Sequence, residues 1–397
     1  MQRTAIVHIG LEKTGSTAIQ KWLAGHRELL REHGILMPSS IGYPNHTKLV
    51  AACLDDGAVD NIKSYQLFAA GSSEQAFRRH VFSALQQEIV SNRSGWHTLL
   101  ISSELISSRL SSTSEIQRLL NQIQPHVDRI RFVVFLRRQD QLAVSRFSSI
   151  LRSGHSDFDD LFVDYSPFNF RRLPVGRSVS DDLFFYDFER ILARFEGLPK
   201  TCVDVHFYGA CNPIRVFADT LGLGSFVQAS AQERHNSALS AEAQYILAQL
   251  NRIVPVQFPS GMRNDAYRRL QRCVETEVLG DPRAVSRQSA ERFLEGYAEM
   301  NRRIFSRYAQ SAQAFSSDFS AYPETVDYSC LPDQAADRLA HYRLQAQQLP
   351  DVEPLAKLFK YKLKRFKASL KDSFRIGRTW VDSDSLSSMT FPKGGAS

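Results

Sequence analysis

Cysteine is scarce in this sequence: five residues, at positions 53, 202, 211, 273 and 330, odd in number and without metal-ligand spacing. That excludes a disulfide scaffold and reads as a set of reduced thiols, the usage of a cytoplasmic protein. Glycine and proline are modest, at 20 and 15, while 43% of the residues are hydrophobic, which excludes collagen-like and disordered chains. Long apolar runs are missing as well. None approaches the about 18 residues of a membrane-spanning helix. The opening stretch MQRTAIVHIGLEKTGST carries charge and glycine too early for a signal peptide. What remains is a globular composition with length for one large domain or two medium ones.

Acidic residues fall short of basic ones, 42 against 49, for a net charge of +7. A basic balance invites a polyanion as partner. The excess is local, however: residues 355–378 hold nine basic residues and one acidic, so the rest carries 40 basic and 41 acidic, a net of −1. The body is near neutral, and a nucleic-acid partner is not expected of it.

Residues 4–9 (TAIVHI) form a short β-branched apolar run, the pattern of a buried strand. A turn over 10–15 and helical spacing over 16–32 follow. Further along, helices are expected at 74–91, 114–124, 138–151, 182–196 and 213–221, and strands at 98–103, 130–136 and 202–208. Strands alternating with helices predict a parallel α/β sheet covered on both faces. From 240 to 310 the pattern turns helical (240–253, 263–276, 287–307), and 311–354 has the weak periodicity of a linker or loosely packed region. The Ser- and Gly-rich 379–397 reads as a flexible tail.

The strongest local feature is the turn Gly10-Leu11-Glu12-Lys13-Thr14-Gly15-Ser16-Thr17 between the first strand and the first helix. Such a turn aims several backbone N–H groups at one spot, where the helix dipole adds positive charge. Lys13 contributes a full charge, and Ser16 and Thr17 contribute hydroxyls. The nucleotide-hydrolase loop GxxxxGK[ST] places lysine directly after the second glycine; here Ser16 occupies that place and Lys13 precedes Gly15. A second anion site is suggested by Arg137, at the carboxyl end of the strand IRFVVFL, and Ser145, eight residues later in the next helix.

Lys13-Thr14-Gly15-Ser16-Thr17 after the first strand, with Arg137…Ser145 at a later strand end, resembles the sulfotransferase family that uses 3′-phosphoadenosine-5′-phosphosulfate (PAPS). The stretch from His8-Ile9-Gly10 to Ile19-Gln20 is similar to bacterial sulfotransferases that modify saccharides, as are LISSE (100–104), FLRRQ (135–139), YDFERILARFEG (186–197) and Asn236-Ser237-Ala238-Leu239. The resemblance covers about residues 4–310 and implies a P-loop type sheet. It implies that Lys13, Thr14, Gly15, Ser16 and Thr17 hold the 5′-phosphosulfate, that Arg137 and Ser145 hold the 3′-phosphate, and that Asn236 closes on the nucleotide. It further implies sulfuryl transfer without a metal, to a saccharide, polysaccharide or glycolipid hydroxyl. Such transfer needs in-line positioning, neutralisation of the leaving phosphate, a base and exclusion of water. Lys13 is placed for the leaving phosphate. Two residues stand for the base: Glu104, at the end of LLISSE, and His46, in GYPNHTKLV.

Three readings remain beside or within this one. A P-loop kinase or nucleotidase would share the loop and depend on magnesium. The segment 155–180, rich in Phe, Tyr and Arg, suits an acceptor lid. In 355–378, Leu355, Leu358, Phe359, Leu363, Phe366 and Leu370 fall on one side of a helix and five lysines on the other. That basic amphipathic helix either docks on the body or lies on an anionic membrane surface, the inner face for a cytoplasmic protein, where it would also suit a non-catalytic membrane adaptor.

Overall fold

The architecture comes from a computed structural model that describes residues 2–154, 156, 185–209, 212–227, 239–258, 261–280, 286–308, 315–325 and 331–349. The lid segment 155–180 (Ser156 apart), Asn236 and Ser237, the basic segment 355–378 and the tail 379–397 lie outside the described residues.

Five strands form one parallel sheet: β1 (Thr4–Gly10), β2 (Ile35–Leu36), β3 (Thr98–Ser102), β4 (Arg129–Leu136) and β5 (Thr201–Phe207), in the spatial order β2-β3-β1-β4-β5. The first strand is therefore central. Its register, Thr4 against Thr98 on one side and Arg129 on the other, brings the carboxyl ends of β1, β3 and β4 to one edge. The two faces of β1 alternate as the period of a strand requires. Ala5, Val7 and Ile9 enter one core with Leu99, Ile101, Phe132 and Val134; Ile6 enters the other with Leu100, Val133 and Phe135.

The second face is covered by α1 (Ser16–Gly25) through Ile19, Trp22 and Leu23, and by the helix Pro213–Thr220 through Ile214 and Phe217. The run expected to be helical over 16–32 breaks at His26, and α2 (Arg27–Glu32) follows as a separate element. The first face is covered by α3 (Thr47–Cys53), α4 (Asn61–Ala70), α5 (Glu74–Ser91), α6 (Leu105–Arg109) and α7 (Thr113–Ile123). The start of α7 is fixed by a capping box, in which Ser112 accepts from the Glu115 amide and Glu115 accepts from the Ser112 amide. β4 leads into α8 (Gln139–Arg152), and α9 (Phe188–Ala193) precedes β5. The Pro213–Thr220 helix is α10.

The helical stretch expected after 240 is present as α11 (Ala241–Asn251), α12 (Asp265–Glu277), α13 (Arg287–Glu295) and α14 (Ala298–Tyr308), whose buried residues belong to the same core as the first face. The expected linker over 311–354 is corrected by the structure. Residues 331–347 are α15 (Leu331–Gln347), which buries Leu331, Ala335, Leu339, Tyr342 and Ala346 in that core. Two of those five residues are alanine, so the helical period is there but the apolar signal is weak. No helix of the described residues is long and apolar enough to cross a membrane.

Arg138 leads from β4 into α8. It is buried in a two-pronged pair with Asp140, Nε to Oδ1 at 2.8 Å and Nη2 to Oδ2 at 2.9 Å. It also donates to the Ser316 and Asp318 carbonyls and stacks on Phe319, while Tyr322 donates to Asp140 at 2.6 Å. This network fastens 315–325 across the start of α8. Asp140→Ala would strand a buried guanidinium and is expected to cost about 3–5 kcal/mol, measured as the loss of unfolding free energy in urea. A loss below about 1 kcal/mol would show that the pair does not hold this region together.

Candidate functional site

The loop between β1 and α1 is a tight turn built on left-handed residues. Gly10, Lys13 and Gly15 have φ of 108°, 65° and 90°. Gly10 is required by closeness as well as by angle: a methyl group there would lie 3.0 Å from the Glu104 Cα. At Gly15 it would lie 2.8 Å from Pro213 Cγ. The loop is thus wedged between the end of β3 and the start of α10. Gly15 precedes α1, whose Ser16 and Thr17 amides have no acceptor within the helix and point out of its end, while the Ala18 amide donates to the Gly15 carbonyl at 2.9 Å.

The loop closes on itself through Leu11. Its carbonyl accepts from the Thr14 hydroxyl at 2.6 Å and the Ser16 hydroxyl at 3.1 Å. Of the two hydroxyl protons expected to face a phosphate, that of Ser16 is therefore spent inside the turn, and Ser16 offers a ligand its backbone amide. Thr17 is exposed on the first turn of α1.

Arg137, at the end of β4, donates from Nη1 to the Lys13 carbonyl at 2.9 Å, and its guanidinium lies 5.1 Å from the Tyr208 ring centroid. Its Nε is buried with no hydrogen-bond partner. The Lys13 ammonium is pushed below its ordinary pKa, chiefly by burial and then by Arg152, with Arg137 adding to the effect and Glu12 and Glu104 opposing it. Lys13, Arg137 and Arg152 thus form one cationic corner. Arg152, at the last turn of α8, also pairs with Glu275 at 2.9 Å. Ser145 is half-buried in the second turn of α8, about 9 Å of helix rise beyond Gln139.

Glu104 follows β3, the direct neighbour of β1, and caps α6. Its Oε2 accepts from Gln20 Nε2 at 2.7 Å. Burial raises its carboxyl above the ordinary value, partly offset by a backbone hydrogen bond and by Gln20. The same Gln20 nitrogen lies 3.5 Å from Ser102 Oγ, which lies 2.8 Å from His8 Nδ1. A chain of polar groups therefore runs from Glu104 beneath the loop to His8, whose Nε2 is buried without a partner. His8 is flanked by Phe135 and Phe217 and is held neutral by burial, its pKa lowered to about 3.

His46 is not available as a base. It is fully buried, its Nδ1 accepts from the Ser102 amide at 2.9 Å, and its Nε2 donates to the Pro38 carbonyl at 2.9 Å. Burial lowers its pKa to about 4. The ring is a strut that ties the start of α3 to the end of β3, with both nitrogens taken by backbone. Of the residues nominated from sequence, the structure brings Lys13, Arg137 and Glu104 to one sheet edge and takes His46 out of it. Gln20, Ser102, Tyr208 and Arg152 were not nominated. Gln20 could have been noticed as the inward residue one helical turn after Ser16. The others depend on contacts that spacing does not reveal.

Among the described residues no group of three His, Cys, Asp or Glu is arranged to hold a metal ion. No protein-family model and no curated protein matches the chain.

His8 and His46 make the foundation of this edge acid-sensitive. In the unfolded chain each imidazole takes a proton near 6.5; folded, they resist until about 3 and about 4. Between those limits the unfolded state binds more protons, so stability falls as pH drops below about 6.5, by up to about 1.4 kcal/mol per pH unit for each ring. His46→Gln is expected to remove its part of that slope, read as the urea midpoint from pH 7.5 to pH 4.5. Identical slopes in the two proteins would contradict this assignment.

Proposed function

We propose that the protein is a sulfotransferase, moving the sulfuryl group of PAPS to a hydroxyl, with a saccharide hydroxyl as the acceptor class. The observation that carries this reading is the meeting of Lys13, Arg137 and Glu104 at adjoining strand ends: two cations and a carboxylate of raised pKa around a turn of outward amides. An open parallel sheet binds its ligands at that edge.

In the reaction the acceptor oxygen attacks sulfur opposite the bridging oxygen. A new S–O bond forms, the bond from sulfur to the phosphate oxygen breaks, and 3′,5′-adenosine bisphosphate leaves with the electron pair. The loop amides and Lys13 hold the 5′-phosphate and offset the charge that grows on it. Arg137 and Ser145 take the 3′-phosphate. Glu104 accepts the proton of the acceptor hydroxyl, and burial makes it a stronger base than an exposed carboxylate. Gln20 holds the carboxylate in place. The resemblance to saccharide-modifying sulfotransferases supports the acceptor class.

The decisive measurement is calorimetric titration with 3′,5′-adenosine bisphosphate without added metal. Binding is expected to weaken about 10–100-fold in Lys13→Ala, the loss of one charge-assisted contact, and to weaken also in Arg137→Ala. Preference for ATP with magnesium would instead favour a P-loop kinase. Glu104→Gln is expected to keep nucleotide binding and lower the transfer rate about 10²–10⁴-fold. Because the Glu104 carboxyl is raised, the wild-type rate should fall on the acid side at a pH above the ordinary carboxylate range. An unchanged rate and acid limb in Glu104→Gln would remove Glu104 as the base.

A further inference from the structure

The phosphate loop occupies the carboxyl ends of the strands. The opposite edge carries a second concavity of about 560 Å³, bordered by the segments that enter β1, β3, β4 and β5. Arg3, Arg93 and Lys200 line it together with His97 and His126, and its one carboxylate is Asp128. Asp128 makes no ion pair with these side chains among the described residues; its Oδ2 accepts from the Arg3 backbone amide at 2.7 Å, and its single negative charge leaves the three cations in excess. Arg3, Arg93 and Lys200 have no carboxylate partner among the described residues.

Several other arginines are matched. Arg78 meets Asp56, Arg118 meets Asp55, Arg131 meets Asp204 and Arg303 meets Glu189. What sets the hollow apart is that three cations without a carboxylate partner line one concavity. Arg3 is also fixed in place: its guanidinium lies over the Trp96 ring, 4.6 Å from the centroid, and Nη2 donates to the Arg93 carbonyl at 2.5 Å. A held guanidinium loses less freedom on binding than a free one. The field in the hollow is felt by His126, whose pKa is lowered by burial and then by Arg93 and Arg3. The space suits a ligand of sugar to nucleotide size.

We propose that this hollow is an oxyanion-binding site, separate from the phosphate loop, for a small ligand bearing phosphate or sulfate groups. Arg3 and Arg93 supply forked donors that match a tetrahedral oxyanion, and Lys200 adds a point charge at the rim. Neither the loop nor the sulfuryl-transfer reading is needed for it.

The test uses the full chain with Lys13→Ala, so that the loop competes less (Arg137→Ala serves if that variant does not fold). Inorganic pyrophosphate and glucose 6-sulfate are titrated separately by calorimetry at low ionic strength. Binding at one site by at least one probe is expected, and the tighter probe identifies phosphate or sulfate as the group recognised. Adding Arg93→Glu and Lys200→Glu, both exposed positions, should weaken it at least tenfold, and the neutral pair Arg93→Gln and Lys200→Gln should fall between. No heat with either probe, or equal affinity after both charge reversals in a protein with an unchanged melting curve, would overturn the proposal.

Discussion

One hydrogen bond, from Arg137 to the carbonyl oxygen of Lys13, sets the geometry of the loaded edge of the sheet. It turns the Lys13 backbone inward, consistent with its left-handed φ of 65°, and fastens the turn after β1 to the end of β4. It also draws a guanidinium toward an ammonium that Arg152 already repels. Like charges gathered in a partly buried corner raise the free energy of the empty protein, and a multivalent anion would relieve that repulsion on binding. The strain is kept because the surrounding structure over-determines it. β1 is central, Gly15 is wedged against Pro213, and the Arg138–Asp140 pair anchors the next residues of the same strand exit.

The same low-dielectric ground beneath the loop acts on acids and bases in opposite senses. It pushes the Glu104 carboxyl up and the His8 and His46 rings down, so all three move toward neutrality. What separates them is access. Glu104 is only partly buried, and its carboxylate accepts from Gln20 and a backbone amide. His46 has both nitrogens satisfied by backbone. A histidine is often the first residue suspected of proton transfer, and here its two hydrogen bonds make it architecture.

The apolar β-branched runs at 4–9 and 130–136 and their alternation with helices were enough to read a parallel α/β sheet, and the glycine spacing from Gly10 to Thr17 located its loop. The order of strands was not legible, because the neighbours of β1 are decided by long-range pairing and not by local propensity. That order is what puts Glu104 beside Lys13. The fate of His46 hung on how 38–46 folds against β3, and the chain from Glu104 to His8 on the rotational setting of α1 over the sheet. α15 escaped notice because a face containing alanine packs closely while contributing little hydrophobicity to a periodicity count. The cationic hollow could not be foreseen, since residues 3, 93 and 200 are far apart in the chain and meet only at the strand entries.

α15 has a consequence for how the molecule comes into being. Its buried face completes the core that α11 and α12 share with the sheet, Arg338 pairs with Glu242 at 3.0 Å, and Tyr342 donates to Glu277 at 2.6 Å. Elements leave the ribosome in chain order and fold largely as they emerge. The loop, β3 and β4 are therefore made long before the helix that seals the core over α11. Until residue 347 has been translated, the apolar flank of α11 stays uncovered, although the whole turn between β1 and α1 has long been made.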